Sequence, residues 1–171
     1  MSLKGKTVLL LVEDLYQELE FWYPYYRFIE EGARVLVAAP QKKDYHSKYG
    51  YPVTVELLAS DVKVNEIDAI SIPGGFAPDY LRRYPHVVNL VKSAFEKGKI
   101  VAAICHAGSV LVSANILRGK KVTSFMAIKD DIINAGAEYL DQEVVVDGNL
   151  ITSRKPDDLP AYCQAIIAAL Q

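Results

Sequence analysis

The sequence predicts an α/β fold built on a parallel sheet with helices covering both faces. Short apolar runs rich in branched residues alternate with longer helical stretches through most of the chain. Those runs are apolar at consecutive rather than alternate positions, as expected of strands buried on both faces. One of them, Ile100 to Ile104, passes directly into a stretch of small residues that opens a helix near Ala107, a strand-to-helix turn typical of such sheets.

In order along the chain, Thr7 to Val12 is a continuous apolar run and reads as the first buried strand. Glu18 to Glu31 reads as a helix stopped at Gly32, with Pro24 marking either its beginning or a kink. Arg34 to Ala39 is a second buried strand, closed by Pro40. Gln41 to Pro52 is polar and tyrosine-rich and reads as a loop or a short hairpin, and Val53 to Leu58 as a third strand. Ala69 to Ile72 is a short strand ending in Pro73-Gly74-Gly75, and His86 to Gly98 a helix. After the strand at Ile100 to Ile104, two further strands, Glu143 to Val146 and Leu150 to Ser153, are joined through Asp147-Gly148, a hairpin-turn pair. The last helix spans about Leu159 to Leu170, and no internal repeat, linker or low-complexity stretch interrupts the pattern. A chain of 171 residues suits one domain, residues 1–171, around one core.

Composition excludes several function classes. Apolar residues make up 51% and charged residues 23%, with a net charge of −2 and no basic run, so nucleic acid is not an expected partner. No apolar stretch approaches the roughly 20 residues that span a bilayer. The residues up to Lys6 lack the pattern of a secretory leader, which makes the cytoplasm the expected compartment. Two cysteines, Cys105 and Cys163, do not make a disulfide framework and read as free thiols. His46, His86 and His106 stand far apart with no zinc-ligand spacing, so neither a metal nor another cofactor is expected.

Open α/β sheets bind ligands beyond the carboxyl ends of their strands. Two breaks of that kind stand out, Pro73-Gly74-Gly75 and Ile104-Cys105-His106-Ala107-Gly108. A nucleophile at Cys105 would sit on a tight turn above the sheet, and small neighbours (Ala102, Ala103, Ala107, Gly108) let that turn close. Free N–H groups at a helix start favour a thiolate and lower its pKa, and they can bind an oxyanion. Gly75 can add an N–H from the neighbouring loop, beside that of His106. The competing reading of Cys105 is a small buried hydrophobe. Cys163, with Leu159, Ile166, Ile167 and Leu170 at helical spacing, reads as core. Glu20 lies in an aromatic-rich helix: facing apolar surroundings it would hold a proton, and otherwise it is a solvated surface residue.

Motifs along nearly the whole chain resemble those of the PfpI family of intracellular cysteine peptidases, within the ThiJ/PfpI superfamily. They are Glu20-Phe21-Trp22-Tyr23-Pro24, Gly50-Tyr51, Pro73-Gly74-Gly75-Phe76-Ala77-Pro78-Asp79, Ala103-Ile104-Cys105-His106, Leu117-Arg118-Gly119, Lys129 to Gly136, Val144 to Asn149, and Ser153-Arg154. The resemblance implies a flavodoxin-like three-layer sandwich with Cys105 at the elbow, Glu20 beside its sulfur and His106 as its base. It also implies a homo-oligomer in which an acidic residue orients the histidine across a subunit interface. Asp79 matches that position, where the family archetype has glutamate. Phe125 replaces a frequent tyrosine, Met126-Ala127 a usual Pro-Gly, and Ala107-Gly108 a frequent Gly-Pro or Gly-Ala.

A class I glutamine amidotransferase is ruled out, because it needs a histidine later in the chain and none follows His106. Three readings stay open. The first is a cysteine hydrolase of peptides or small carbonyl compounds. The second is a glyoxalase or deglycase acting on methylglyoxal or its adducts, with Glu20 or His106 moving protons. The third is a stress or redox sensor that works by oxidation of Cys105.

Overall fold

The computed structural model describes residues 2–55 and 57–171. Strand β1 (Thr7–Leu11) leads to helix α1 (Glu18–Glu30) and strand β2 (Arg34–Ala39). Three short strands follow, β3 (Asp44–His46), β4 (Pro52–Thr54) and β5 (Leu57–Leu58), and then β6 (Ala69–Ile72). Helices α2 (Ala77–Leu81) and α3 (Pro85–Glu96) precede β7 (Ile100–Ile104), which runs through a 3₁₀ turn at Cys105–Ala107 into α4 (Gly108–Ser113). The remainder comprises β8 (Lys121–Val122), α5 (Lys129–Asn134), β9 (Glu138–Tyr139), β10 (Val144–Asp147), β11 (Leu150–Ser153) and α6 (Leu159–Leu170).

Seven strands form the main sheet in the order β10-β11-β7-β6-β1-β2-β5, parallel throughout except for β10. Each side of that sheet carries its own apolar layer. Val8 and Leu10 of β1 face one way, onto Phe21 and Phe28 of α1 and Tyr162 and Ile166 of α6. Leu9 and Leu11 face the other, onto Val87 and Val91 of α3, Leu111 of α4 and Ile132 of α5. A period of two along a strand sends successive side chains to opposite faces, so a run that is apolar at every position needs a cover on each. The result is the three-layer, mostly parallel α/β sandwich expected from the sequence. Among its principal strands the order β2-β1-β6-β7-β11 is the flavodoxin-like arrangement, with the direction of winding reversing between β1 and β6.

One expectation changes, and one alternative closes while the helix keeps its expected start at Glu18. The strand expected over Val53 to Leu58 is divided, with residue 56 outside the described residues. Val53 pairs with Tyr45 in an antiparallel β3–β4 hairpin, while Leu57 and Leu58 pair with Ala38 and Ala39 at the sheet edge. The hairpin buries the Tyr45 ring, whose hydroxyl bonds to the Gln41 carbonyl at 3.1 Å, and that packing draws the first half of the segment off the sheet. Helix α1 does not begin at Pro24: Gln17 caps it well upstream, its side-chain oxygen accepting from the N–H groups of Leu19 and Glu20. Among the described residues no helix is long and apolar enough to cross a membrane.

Candidate active site

The carboxyl ends of β1, β6 and β7 meet where the winding reverses, and the expected reactive residues gather there. Cys105 follows β7 immediately, with φ at +62°, a left-handed conformation that costs a non-glycine residue about 1–3 kcal/mol. That conformation turns its side chain out of the sheet into a cavity of about 510 Å³, which Glu20, Lys48, Gly75, Phe76, His106 and Phe125 also line. Gly108 lets α4 dock closely, since a Cβ there would come 3.1 Å from Ile132 Cδ1.

Glu20 enters from the first turn of α1. It is fully buried, and its Oε2 accepts from the Gly74 N–H at 2.7 Å. The Gln17 cap that starts the helix also ties it to the same loop, since the Gln17 N–H donates to the Gly74 carbonyl at 3.1 Å. Gly74 has to lack a side chain. A Cβ would lie 2.5 Å from Glu20 Oε2, 2.6 Å from Cys105 Cβ and 3.1 Å from Cys105 Sγ, and so would wedge carboxyl and thiol apart. At Gly75, with φ at +77°, a Cβ would strike the Leu15 carbonyl at 2.4 Å, so the loop can press against β1's exit only with glycine there.

The electrostatics couple Glu20 to Cys105. Burial pushes the Glu20 carboxyl up from 4.5 to about 7, against the lowering effect of the Gly74 N–H and of the Cys105 side chain. Its other oxygen, Oε1, is buried with no hydrogen-bond partner among the described residues, which adds to the cost of ionising the carboxyl. Burial also pushes the Cys105 thiol up, and the charge of an ionised Glu20 adds to that, while the backbone N–H groups of His106 and Gly75 pull it down. The thiol's pKa is therefore raised, to about 12, rather than lowered as the helix-start argument expects. The helix contributes little because a 3₁₀ turn separates Cys105 from α4, which has only six residues. The sulfur and the carboxyl compete for one proton: an ionised Glu20 holds it on the thiol, and a protonated Glu20 donates to the thiolate.

His106 Nδ1 stands 3.3 Å from Cys105 Sγ, so the tight turn overcomes the opposed directions of adjacent strand residues. Burial, followed by nearby Lys48, pushes the imidazole's pKa down, which leaves it neutral at pH 7. Its ring stacks on Phe125 at 5.0 Å and 27°. Asp79, on α2, is paired with Arg83 and half exposed, and it makes no hydrogen bond to His106 within this chain. Cys163 is buried in α6, its thiol pushed up to about 12 by burial, in keeping with a core residue. The sequence reading did not single out Lys48, Gln17 or Lys155 for the site. The cap position of Gln17, just before the aromatic helix, was the one local signal available.

Residues 6–169 match the sequence model of the DJ-1/PfpI family. The chain belongs to this family. It is 44% identical over 164 residues to a deglycase of Pyrococcus abyssi, covering 96% of this chain and 99% of that protein. It is 42% identical over 164 residues to the deglycase PfpI of Pyrococcus furiosus, with the same coverage of 96% and 99%. Among solved structures, it superposes with a TM-score of 0.96 and 42% identity on a two-domain protein from Anabaena variabilis with DJ-1/ThiJ/PfpI-like and ferritin-like domains. That match covers 97% of this chain and 48% of the other, so the chain spans about half of the two-domain protein.

Proposed function

We propose that this DJ-1/PfpI protein is a cysteine-dependent hydrolase of the deglycase type, acting on adducts of small α-oxo-aldehydes such as methylglyoxal. The observation that carries the proposal is the buried Glu20 carboxyl beside Cys105, with a pKa of about 7. A nucleophile and a group able both to take and to return a proton at neutral pH are what that chemistry needs. In an amine adduct, R–NH–CH(OH)–CO–CH₃, the Cys105 sulfur bonds to the carbinol carbon, and the C–N bond breaks as the amine leaves with a proton. Glu20 takes the proton from that carbon and returns it to the neighbouring ketone carbon, while the hydroxyl proton of the first carbon passes to the ketone oxygen. The first carbon is thereby oxidised to a thioester and the second reduced to an alcohol, with no outside oxidant. Water then attacks the thioester carbonyl, whose oxygen the N–H groups of Gly75 and His106 are placed to receive, and lactate leaves as the C–S bond breaks.

Peptide hydrolysis is the second reading, favoured by the same thiol with His106 Nδ1 at 3.3 Å and N–H groups for an acyl oxyanion. In either case we place the enzyme in the cytoplasm as a homo-oligomer in which Asp79 reaches His106 of a neighbouring copy. The test sets release of lactate from the methylglyoxal adduct of N-acetyl-arginine beside a fluorogenic peptide assay, each with wild type, Cys105→Ala and Glu20→Gln. Adduct turnover abolished by Cys105→Ala and reduced at least about a hundredfold by Glu20→Gln is expected. Turnover of peptide alone would make it a peptidase. Turnover of neither, with selective oxidation of Cys105, would make it a sensor.

A further inference from the structure

A second cavity, of about 410 Å³, adjoins the one around Cys105, and nothing in the chemistry above uses it. Phe125 and Lys155 line both, so the two chambers are neighbours on either side of the Phe125 side chain, whose ring stacks on His106. Met126, Lys129, Tyr139, Asp141 and Arg154 complete the second chamber.

Its charges are unevenly matched. Arg154 is spoken for, its guanidinium bonded to Asp158 at 2.8 Å and to Asp141 at 2.9 Å, which also accounts for the chamber's one acidic residue. Lys129 has no carboxylate within 4.0 Å among the described residues, and its ammonium lies 5.5 Å from the centre of the Tyr139 ring. Lys155 has only a loose contact with Asp157, 3.5 Å long and exposed on both sides, an arrangement that contributes little. Two exposed lysines thus border a concave, partly aromatic chamber whose one acidic residue among the described residues is already paired with Arg154. The first chamber adds Lys48, whose charge reaches both Glu20 and His106. A lysine stem can lie along apolar wall while its head stays free to meet a ligand.

We infer that this second chamber is a subsite for an anionic group on the substrate's leaving amine, held by Lys129 and Lys155 while the oxo-aldehyde carbons lie at Cys105. The inference rests on the deglycase reading for the reaction, but the subsite itself is a matter of binding. Its ligand chemistry is a carboxylate or a phosphate, as carried by an amino acid or by a phosphorylated amine. A neutral amine gains nothing from the chamber.

The experiment compares methylglyoxal adducts of three amines of similar length: 4-aminobutanamide, 4-aminobutanoate and 3-aminopropyl phosphate. Wild type should favour one or both anionic adducts over the neutral one by about tenfold in kcat/KM, mainly through KM. Whichever anion is preferred identifies the source. The Lys129→Gln/Lys155→Gln double variant should lose that preference, the ratio of anionic to neutral kcat/KM falling to about one, whereas a folding defect would lower all three alike and leave the ratio unchanged. In parallel, 3-aminopropyl phosphate and 4-aminobutanoate are titrated calorimetrically into both proteins. Binding lost in the double variant without turnover of any adduct would keep the subsite and sink the deglycase reading. Equal kcat/KM for all three adducts in wild type, or anion binding undiminished in the double variant, would overturn the subsite.

Discussion

Replacing Glu20 by glutamine should make the protein more stable while disabling it, and the size of the gain follows from the site. The carboxyl's pKa rises from 4.5 in an exposed chain to about 7 in the fold. The folded state therefore binds this proton more tightly than the unfolded chain, so stability is full below about pH 4.5 and falls as pH rises through 7. At about 1.36 kcal/mol per pH unit, the span from 4.5 to about 7 amounts to about 3 kcal/mol lost by pH 8. Glutamine carries no charge to desolvate. Its amide oxygen can still accept from the Gly74 N–H, and its NH₂ can point at the sulfur as a protonated carboxyl would. Glu20→Gln should therefore unfold about 3 kcal/mol harder than wild type in urea at pH 8, a rise of about 6–12 °C in melting temperature, and less than about 1 kcal/mol harder at pH 5. Glu20→Leu gives the matching control. It also removes the charge, but it leaves the buried Gly74 N–H unpaired at a cost of about 1–3 kcal/mol, so it should gain less. A glutamine variant no more stable than wild type at pH 8, or equally stabilised at both pH values, would refute the account of Glu20 as a buried proton holder.

Limiting iodoacetamide on the native protein should label Cys105 ahead of Cys163, because Cys105 opens to the cavity while Cys163 is sealed in α6; adduct mapping that finds Cys163 first would overturn this. If Asp79 serves His106 across an interface, mixing an Asp79→Ala variant with a Cys105→Ala variant should restore part of the activity as subunits exchange. Each mixed pair then contains one site with all its residues. A monomer by light scattering at micromolar concentration, with full activity, would rule that out.

The legible parts of this chain were those where one local rule dominated. The consecutive apolar runs of β1, β2 and β7 admit few readings, and Asp147-Gly148 marks a hairpin that the register Val144↔Ser153 to Asp147↔Leu150 reproduces. Cys105 stood out because small residues after a buried strand mark a turn that can present a nucleophile, although a small buried hydrophobe fits the same position. The Val53 to Leu58 segment failed because its alternation suits two different partners, and the choice lies with Tyr45, whose burial no local pattern reveals. The thiol's pKa is hidden from the sequence for a similar reason. The sequence displays the helix-start N–H groups, which favour a thiolate, but not the depth of burial or the charge of a carboxyl from 85 positions earlier, which oppose it. Lys48 and Lys155 look like ordinary surface lysines until the fold brings both to the same cavity.

What separates this cavity from a mere gap at the sheet edge is where the fold stores unfavourable free energy. Three non-glycine residues have positive φ among the described residues, Leu15, Cys105 and Asn115, and two of them line this one cavity. Gly75, also at positive φ, lies between them, with the Phe76 N–H bonded to the Leu15 carbonyl at 2.9 Å. To about 1–3 kcal/mol of strain at each non-glycine residue is added the cost of a carboxyl buried with one oxygen unpartnered. A thiol kept only for packing would need none of this, as Cys163 shows from the middle of α6, in a regular helix among apolar neighbours. The strain and the buried acid converge at the ends of β1, β6 and β7, where apolar layers on both faces hold the sheet rigid enough to impose them. Concentrated there, they keep a sulfur, a proton carrier and two N–H groups at fixed separation, and that is the arrangement on which the proposed chemistry depends.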